Sequence, residues 1–120
     1  MASKPSAGAL RGRVHCQQRQ PKADPWGGSE TAQGSFATVN TIPCEFLPLR
    51  GSETVIANRL QGVQPYIIRV RQTAFTRTID TNWRFVDARD GREFAIKAPA
   101  TDPDQKRMWL EFLSEMGAPA

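Results

Sequence analysis

WRFVDARDGREFAIK, residues 83–97, is the clearest structural signal in the chain. Two apolar runs flank Asp90-Gly91, a dipeptide suited to the type I′ turn that joins neighbouring antiparallel strands. Alternation along the runs puts four large apolar side chains on one face, namely Trp83, Phe85, Phe94 and Ile96. The stretch therefore predicts a β-hairpin with one face buried in a core.

Two strands are predicted near the N-terminus. Residues 10–19 alternate between apolar and polar, so Val14 and Cys16 share one face and the basic residues share the other. Residues 36–49, FATVNTIPCEFLPL, are rich in β-branched and aromatic side chains. Pro43 removes one ladder donor, which places this strand at an edge or at a bend.

A third strand is predicted over residues 65–72, PYIIRVRQ. Its alternation directs Ile68 and Val70 inward and Arg69 and Arg71 outward. Before it, RGSETVIANRLQG predicts a short helix over about residues 52–60. The signals for this helix are a capping Ser52, a terminating Gly62, and one face formed by Val55, Ile56, Arg59 and Leu60. A helix this short requires docking on the sheet for stability.

The C-terminal segment, residues 101–117, fits two structures. Met108, Trp109, Phe112 and Leu113 form a helical stripe, whereas Met108, Leu110 and Phe112 alternate as in a strand. Counting all segments, we expect a mainly β domain over residues 10–116, a small barrel or sandwich of five to six strands with one short α-helix. Residues 1–9 are expected to be a flexible arm, and residues 20–35 a long extended loop around Trp26.

Composition excludes several classes of protein. The 120 residues carry a net charge of +4, which permits a polyanionic partner without requiring one. No apolar run approaches the roughly 20 residues that cross a bilayer, and no apolar leader is visible. Cys16 and Cys44 form no CxxC pair and are expected to be buried thiols. His15 is the single histidine, so we expect no catalytic site, no metal and no cofactor.

Arginines are the strongest functional signal. Seven lie on or next to predicted strands: Arg11, Arg13, Arg19, Arg69, Arg71, Arg84 and Arg92. On an exposed strand face they can contact phosphates without reading sequence, or pair with carboxylates of an adjacent subunit. As a set they indicate an interaction surface, and the residues alone leave DNA and protein open.

The order of these features resembles the phage head–tail joining, or head-closure, family of small neck proteins (head–tail adaptors and stoppers). The matching segments run from about residue 8 to residue 115 and read GALRGRVHCQQRQ, DPWGGSE, FATVNTIPCEF, RGSETVIANRL, YIIRVRQ, DGREFAIK and DQKRMWLEFLSE. The resemblance implies a compact barrel-like domain and favours a strand over residues 106–114.

The resemblance also implies a structural role in a phage or gene transfer agent particle that is assembled in the bacterial cytoplasm. Subunits would form a sixfold or twelvefold ring between the portal or adaptor and the tail terminator or tail tube, hold DNA in the filled head, and provide the platform for the tail. We expect the channel or ring contact in the loop Trp26, Gly27, Gly28, Ser29 and Glu30, with segment 48–62 as the competing gate.

Contacts between subunits are expected to join the basic N-terminal strand (Arg11 and Arg13) to an acidic C-terminal segment. The acidic residues of that segment are Asp102, Asp104, Glu111 and Glu115. Arg19, Arg69 and Arg71 are further candidates for contact with a subunit or with DNA in transit. Two other functions stay open: a small β-barrel that binds nucleic acid without sequence preference, and a tail terminator.

Overall fold

A computed structural model describes residues 7–21, 33–49, 53–103 and 105–117. The β-strands are β1 (Gly12–Pro21), β2 (Gln33–Pro48), β3 (Gln64–Arg71), β4 (Trp83–Asp87), β5 (Glu93–Ile96) and β6 (Trp109–Met116). They close an antiparallel barrel in the order β1-β2-β3-β6-β5-β4. One helix, α1 (Glu53–Leu60), and 3-10 turns at Ala7–Ala9 and Thr76–Thr78 complete the described elements. The predicted fold class is confirmed.

The hairpin of β4 and β5 forms as predicted, with a different turn. Trp83, Phe85, Phe94 and Ile96 are all buried in the core. Five residues, 88–92, connect the strands, and among them only Gly91 has a positive φ, of 81°. A type I′ turn needs positive φ at both central residues, so that part of the prediction is wrong. Instead the Gly91 N–H donates to the Asp87 carbonyl at 2.9 Å, which closes a wider loop.

β1 and β2 form a longer ribbon than the sequence predicts. They pair from Gly12 opposite Cys44 to Pro21 opposite Gln33. The predicted loop over residues 20–35 is therefore too long at both ends, because strand pairing replaces its first and last residues. Trp26 and the four residues after it lie outside the described residues.

β2 changes its partner along its length, which explains Pro43. β2 pairs with β1 up to Cys44 and with β3 only over residues 45–48. Pro43 thus lies where the ladder to β3 has ended, and its missing N–H removes no bond to that strand. A register shift between Cys16 and Gln17 leaves Val39 as an extra residue on β2, and its side chain is exposed.

Helix α1 ends as predicted but does not dock its apolar face. Gly62 has a φ of 83°, and its N–H donates to the Arg59 carbonyl at 3.0 Å. Ile56 is 49% exposed and Leu60 84% exposed, so the expectation that this face packs on the sheet is wrong. Ser52, the expected cap, lies outside the described residues.

The C-terminal segment is a strand, as the family resemblance favours. β6 pairs with β3 along its whole length and with β5 over residues 114–116. Leu110, Phe112 and Ser114 point into the barrel and are buried. The strand is selected because Phe112 closes the core against Phe85, with ring centroids 5.2 Å apart.

Both thiols belong to this core. Cys16 and Cys44 are free and fully buried, as predicted. Burial raises the pKa of each to about 12, so both are protonated at neutral pH. They act as small apolar side chains.

Candidate functional site

One side of the barrel carries a basic face. Because Val14 and Cys16 point inward, the alternate side chains of β1 point outward, beside those of β2 and β4. We define the basic face by Arg13, His15, Gln17, Arg19, Phe36, Thr38, Thr41 and Arg84. Its three arginines come from two strands that are far apart in sequence and adjacent in the barrel.

Two arginines contact one aromatic ring at the end of this face where β1 and β2 continue beyond β4. The guanidinium carbon of Arg19 lies 4.3 Å from the Phe36 ring centroid, and that of Arg84 lies 4.2 Å from it. Arg84 Nε also donates to Gln17 Oε1 at 2.7 Å. Its Nη1 lies 3.3 Å from a carboxylate oxygen of Glu93, whose side chain is 62% exposed. Contact with the Phe36 ring holds the two cations close together, and the hydrogen bond to Gln17 also orients Arg84.

The rest of the basic face is a polar network between strands. His15 Nδ1 lies 2.7 Å from Thr41 Oγ1, and Gln17 Nε2 donates to Thr38 Oγ1 at 3.0 Å. His15 is thus engaged with a hydroxyl. The described residues include no cluster of His, Cys, Asp and Glu that could hold a metal ion.

The opposite side of the barrel carries an apolar face. Leu47, Ile67 and Leu113 form one row across β2, β3 and β6, pointing outward because Phe46, Ile68 and Phe112 lie in the core. Leu113 is exposed and the other two are half-buried. The sequence analysis missed this row, although the alternation of β6 contains Leu113 as its outward apolar residue.

The next row of the apolar face buries a charged cluster. Arg69 lies between Glu45 and Glu111, its direct neighbours on β2 and β6. Its Nη1 is 2.8 Å from Glu45 Oε1, and its Nη2 is 2.7 Å from Glu111 Oε2. Arg69 is only 2% exposed, so the expectation of an exposed Arg69 is wrong. Two carboxylates satisfy the guanidinium with short ion pairs, which permits its burial on the outer side of the sheet.

The remaining predicted contact residues are spread over the surface. Arg13 and Arg11 are exposed, and Arg11 borders an open polar cleft of about 380 Å³ at one end of the barrel. Arg71 is exposed and stacks over Trp109 at 5.3 Å. Asp102 is half-buried and accepts a hydrogen bond from the Arg107 backbone N–H at 2.9 Å, which is turn chemistry. Asp104 lies outside the described residues.

Asp87 is a buried carboxylate in the same cleft, paired with an arginine. Its Oδ2 lies 2.9 Å from Arg92 Nη2, and its Oδ1 accepts the Arg89 backbone N–H at 2.8 Å. Burial raises the pKa of Asp87, but the hydrogen bonds from Arg89 and Arg92 outweigh it and hold the pKa below its ordinary value. A carboxylate held ionised in this way stabilises the β4–β5 turn and is a poor proton donor at neutral pH.

Among the described residues no helix has the length and apolar character needed to cross a membrane. A closed barrel with an apolar outer face and a basic outer face defines a protein that works through its surfaces, as structural components of assemblies do. The family model of phage head completion proteins matches residues 5–117. The chain therefore belongs to the phage head completion protein family, a family of structural virion proteins, and the resemblance seen in its sequence is confirmed.

Two solved structures are similar in fold. The solution structure of protein SF1141 from Shigella flexneri 2a has a TM-score of 0.67 at 21% identity, with 97% of this chain and 100% of that chain covered. A chain from the virion of a native gene transfer agent particle has a TM-score of 0.60 at 19% identity, covering 90% and 94%. No curated protein matches the chain at a significant level.

Proposed function

We propose that this protein forms a ring at the neck of a phage or gene transfer agent particle, between the portal or adaptor and the tail. The ring, sixfold or twelvefold, closes the DNA-filled head and provides the platform for the tail terminator or tail tube. Membership in the head completion family supports the role in the head. A similar fold in a gene transfer agent virion supports the setting in a particle.

The observation that carries the ring is the apolar face. A closed barrel buries its core inside, so the outward row of Leu47, Ile67 and Leu113 has no core to complete. Arg69 is buried between two carboxylates whose side chains are 16% and 18% exposed, so little of this charged cluster reaches the surface beside the apolar row. An exposed apolar patch of this kind marks a protein contact. Helix α1 lies near β3 and leaves two further apolar side chains, Ile56 and Leu60, exposed.

The position of the two faces fits a ring better than a closed dimer. In the barrel order, β3 and β6 lie across from β1 and β4, so the apolar and basic faces point in opposite directions. Rings need two different surfaces on each subunit, each meeting the other surface of a neighbour. The apolar face supplies one of these contacts, and the exposed Arg11 and Arg13 keep their predicted role of meeting the acidic C-terminal segment of a neighbour.

Channel closure is assigned to the segment between the β1–β2 ribbon ends, residues 22–32, with Trp26 as the bulky side chain. The segment joins the paired ends of β1 and β2 at Pro21 and Gln33, and a connection between paired strands suits insertion into a channel. Two extra glycines inserted after Trp26 should give DNA leakage from filled heads. The same insertion within segment 48–62 is the matched control, and leakage from that variant alone would move the gate to that segment.

Electron microscopy of particles made with and without this gene tests the proposal. Without the gene we expect emptied heads beside detached, finished tails. Intact tailed particles would remove the neck function and favour the nucleic-acid-binding barrel, for which the basic face is the supporting observation. Filled heads with overlong tails would instead favour a tail terminator.

A further inference from the structure

We infer that the basic face binds the phosphate backbone of double-stranded DNA, with Arg19 and Arg84 on Phe36 as its anchor. The inference rests on the proposed function for the source of the DNA, which passes through the neck. It goes further by naming the surface and the residues. The contact of Arg19 and Arg84 with the same ring, Phe36, follows only from the assembled barrel.

The stacked pair is built to present two positive charges together. Each guanidinium carbon lies within 4.3 Å of the same ring centroid, so the two charges are no more than twice that distance apart. A guanidinium that contacts a ring through its carbon keeps N–H donors at its edge, and phosphate oxygens can accept from them. Like charges at this distance repel each other, and an anion that reaches both relieves the repulsion. For Arg84 the exposed carboxylate of Glu93, 3.3 Å from Nη1, is the group that a phosphate would displace.

The neighbouring groups suit phosphates better than a protein surface. His15, Gln17, Thr38 and Thr41 supply donors of the kind that contact sugar and phosphate oxygens. Apolar side chains are the minority here: Val86 is half-buried on β4, and Val39 is exposed at the bulge of β2. Protein interfaces have a buried apolar centre, and on this barrel the larger apolar row lies on the opposite side.

The arrangement also favours duplex over single-stranded DNA. Single-strand binders stack bases on aromatic rings, and here the Phe36 ring already carries two guanidiniums. Phe36 therefore positions cations and is not a platform for a base. Binding of this type reads the backbone alone and has no sequence preference.

Fluorescence anisotropy of the full-length protein with a labelled 30-bp duplex tests the inference between 50 and 200 mM NaCl. We expect R19Q/R84Q to lower the affinity by roughly fiftyfold near 0.1 M salt and to make the log–log salt slope shallower by about two. The matched control is R77Q/R107Q, which removes the same charge from two exposed arginines outside the basic face. It should leave the slope nearly unchanged. Thermal unfolding of each variant checks the fold.

A further variant separates the contribution of the two charges from that of the Phe36 ring. F36L keeps all charges, removes the stacking surface, and should weaken duplex binding severalfold. Equal losses in the R19Q/R84Q and R77Q/R107Q variants would overturn the inference, because net charge alone would then explain binding. So would tighter binding of a single strand that depends on Phe36, or an R19Q/R84Q variant that changes oligomeric mass but not DNA affinity.

These outcomes are independent of the proposed function. If particles without the gene lose their DNA while the purified protein does not bind duplex, the neck function stands and this inference fails. If the protein binds duplex through Arg19 and Arg84 while gene deletion leaves intact tailed particles, the neck function fails instead.

Discussion

The two outer faces of the barrel use arginine in opposite ways. On the apolar face, Arg69 is 2% exposed and contacts two carboxylates at 2.7 and 2.8 Å. On the basic face, the Arg84 side chain is 22% exposed, contacts the Phe36 ring and Gln17, and has an exposed carboxylate, Glu93, at 3.3 Å. Both arginines occupy outward strand positions. Their neighbours on adjacent strands decide whether the guanidinium is buried between carboxylates or stays partly exposed.

The largest effect in this comparison is expected at Arg69. R69M leaves Glu45 and Glu111 partly buried without a counter-charge, so we expect the free energy of unfolding to fall by about 3–5 kcal/mol. Urea denaturation at pH 7 measures it. R71M, on the same strand but exposed, is the control and should change stability by less than about 1 kcal/mol.

A triple variant sharpens the interpretation of Arg69. E45L/R69M/E111L replaces the whole cluster by apolar side chains and should recover or exceed wild-type stability, because no buried charge is left unpaired. If R69M alone is as stable as the wild type, the ion pairs of Arg69 do not contribute to the free energy of unfolding. Arg69 and Arg84 would then not differ in their contribution to stability.

An intermediate effect on stability is expected at Asp87. The side chain of its partner Arg92 is 38% exposed, more than that of Arg69 and less than that of a fully exposed arginine. D87N should lower stability by about 2 kcal/mol at pH 7, since a charged hydrogen-bonded pair is lost. The pKa of Asp87 is held below its ordinary value in the folded state. The stabilisation is therefore complete above about pH 4, the unfolded pKa, and disappears as the pH falls through the folded pKa.

The pH dependence provides its own control. Taking the difference in unfolding free energy between wild type and D87N removes what the two proteins share and leaves the contribution of Asp87. This difference should shrink toward zero in acid. A difference that stays constant from pH 7 to pH 2 would show that the variant acts through packing.

Arg69 and Arg84 also show how much of the site could be predicted from the sequence. Alternation correctly gave the inward residues of the hairpin and the outward position of Arg69, because both depend on neighbours in the same strand. It could not give the burial of Arg69, whose partners lie 24 and 42 residues away in sequence. The stack on Phe36 was hidden for the same reason.

The predictions for the turn after β4 and for the ends of the β1–β2 ribbon were wrong for local reasons. Asp90-Gly91 satisfies several turns, and the side chain of Asp87, which accepts the Arg89 N–H, selects the wider loop. The ribbon extends past the expected loop boundary because cross-strand pairing with β1 continues to Gln33. Exposure of Leu60 was unpredictable from its helical face, since only the tertiary fold determines what that face meets.

A smaller effect on stability is expected at the basic face. R84Q removes one stacked guanidinium and the bond from Nε to Gln17, and should lower the free energy of unfolding by less than about 1 kcal/mol. Thermal unfolding measures it. A loss near that of R69M would mean that Arg84 is a structural residue like Arg69, and the basic face would no longer be a surface kept for a partner.

The smallest effect on the folded subunit, and the most decisive for the comparison, is expected at Leu113. Its side chain is exposed on the apolar face, so L113E should change the unfolding free energy of the isolated subunit by no more than about 0.5 kcal/mol. If this face is the subunit contact, the added carboxylate would be buried there beside Glu111 without a counter-charge, and rings should no longer form. Light scattering after size exclusion measures the assembly state.

M108E is the control for L113E. It places the same charge on another exposed apolar side chain, just before β6 and outside the row, and should leave assembly intact. Rings that persist in L113E and dissolve in M108E would move the contact off the barrel face to the turn before β6, and the burial of Arg69 would then serve the stability of the single subunit alone.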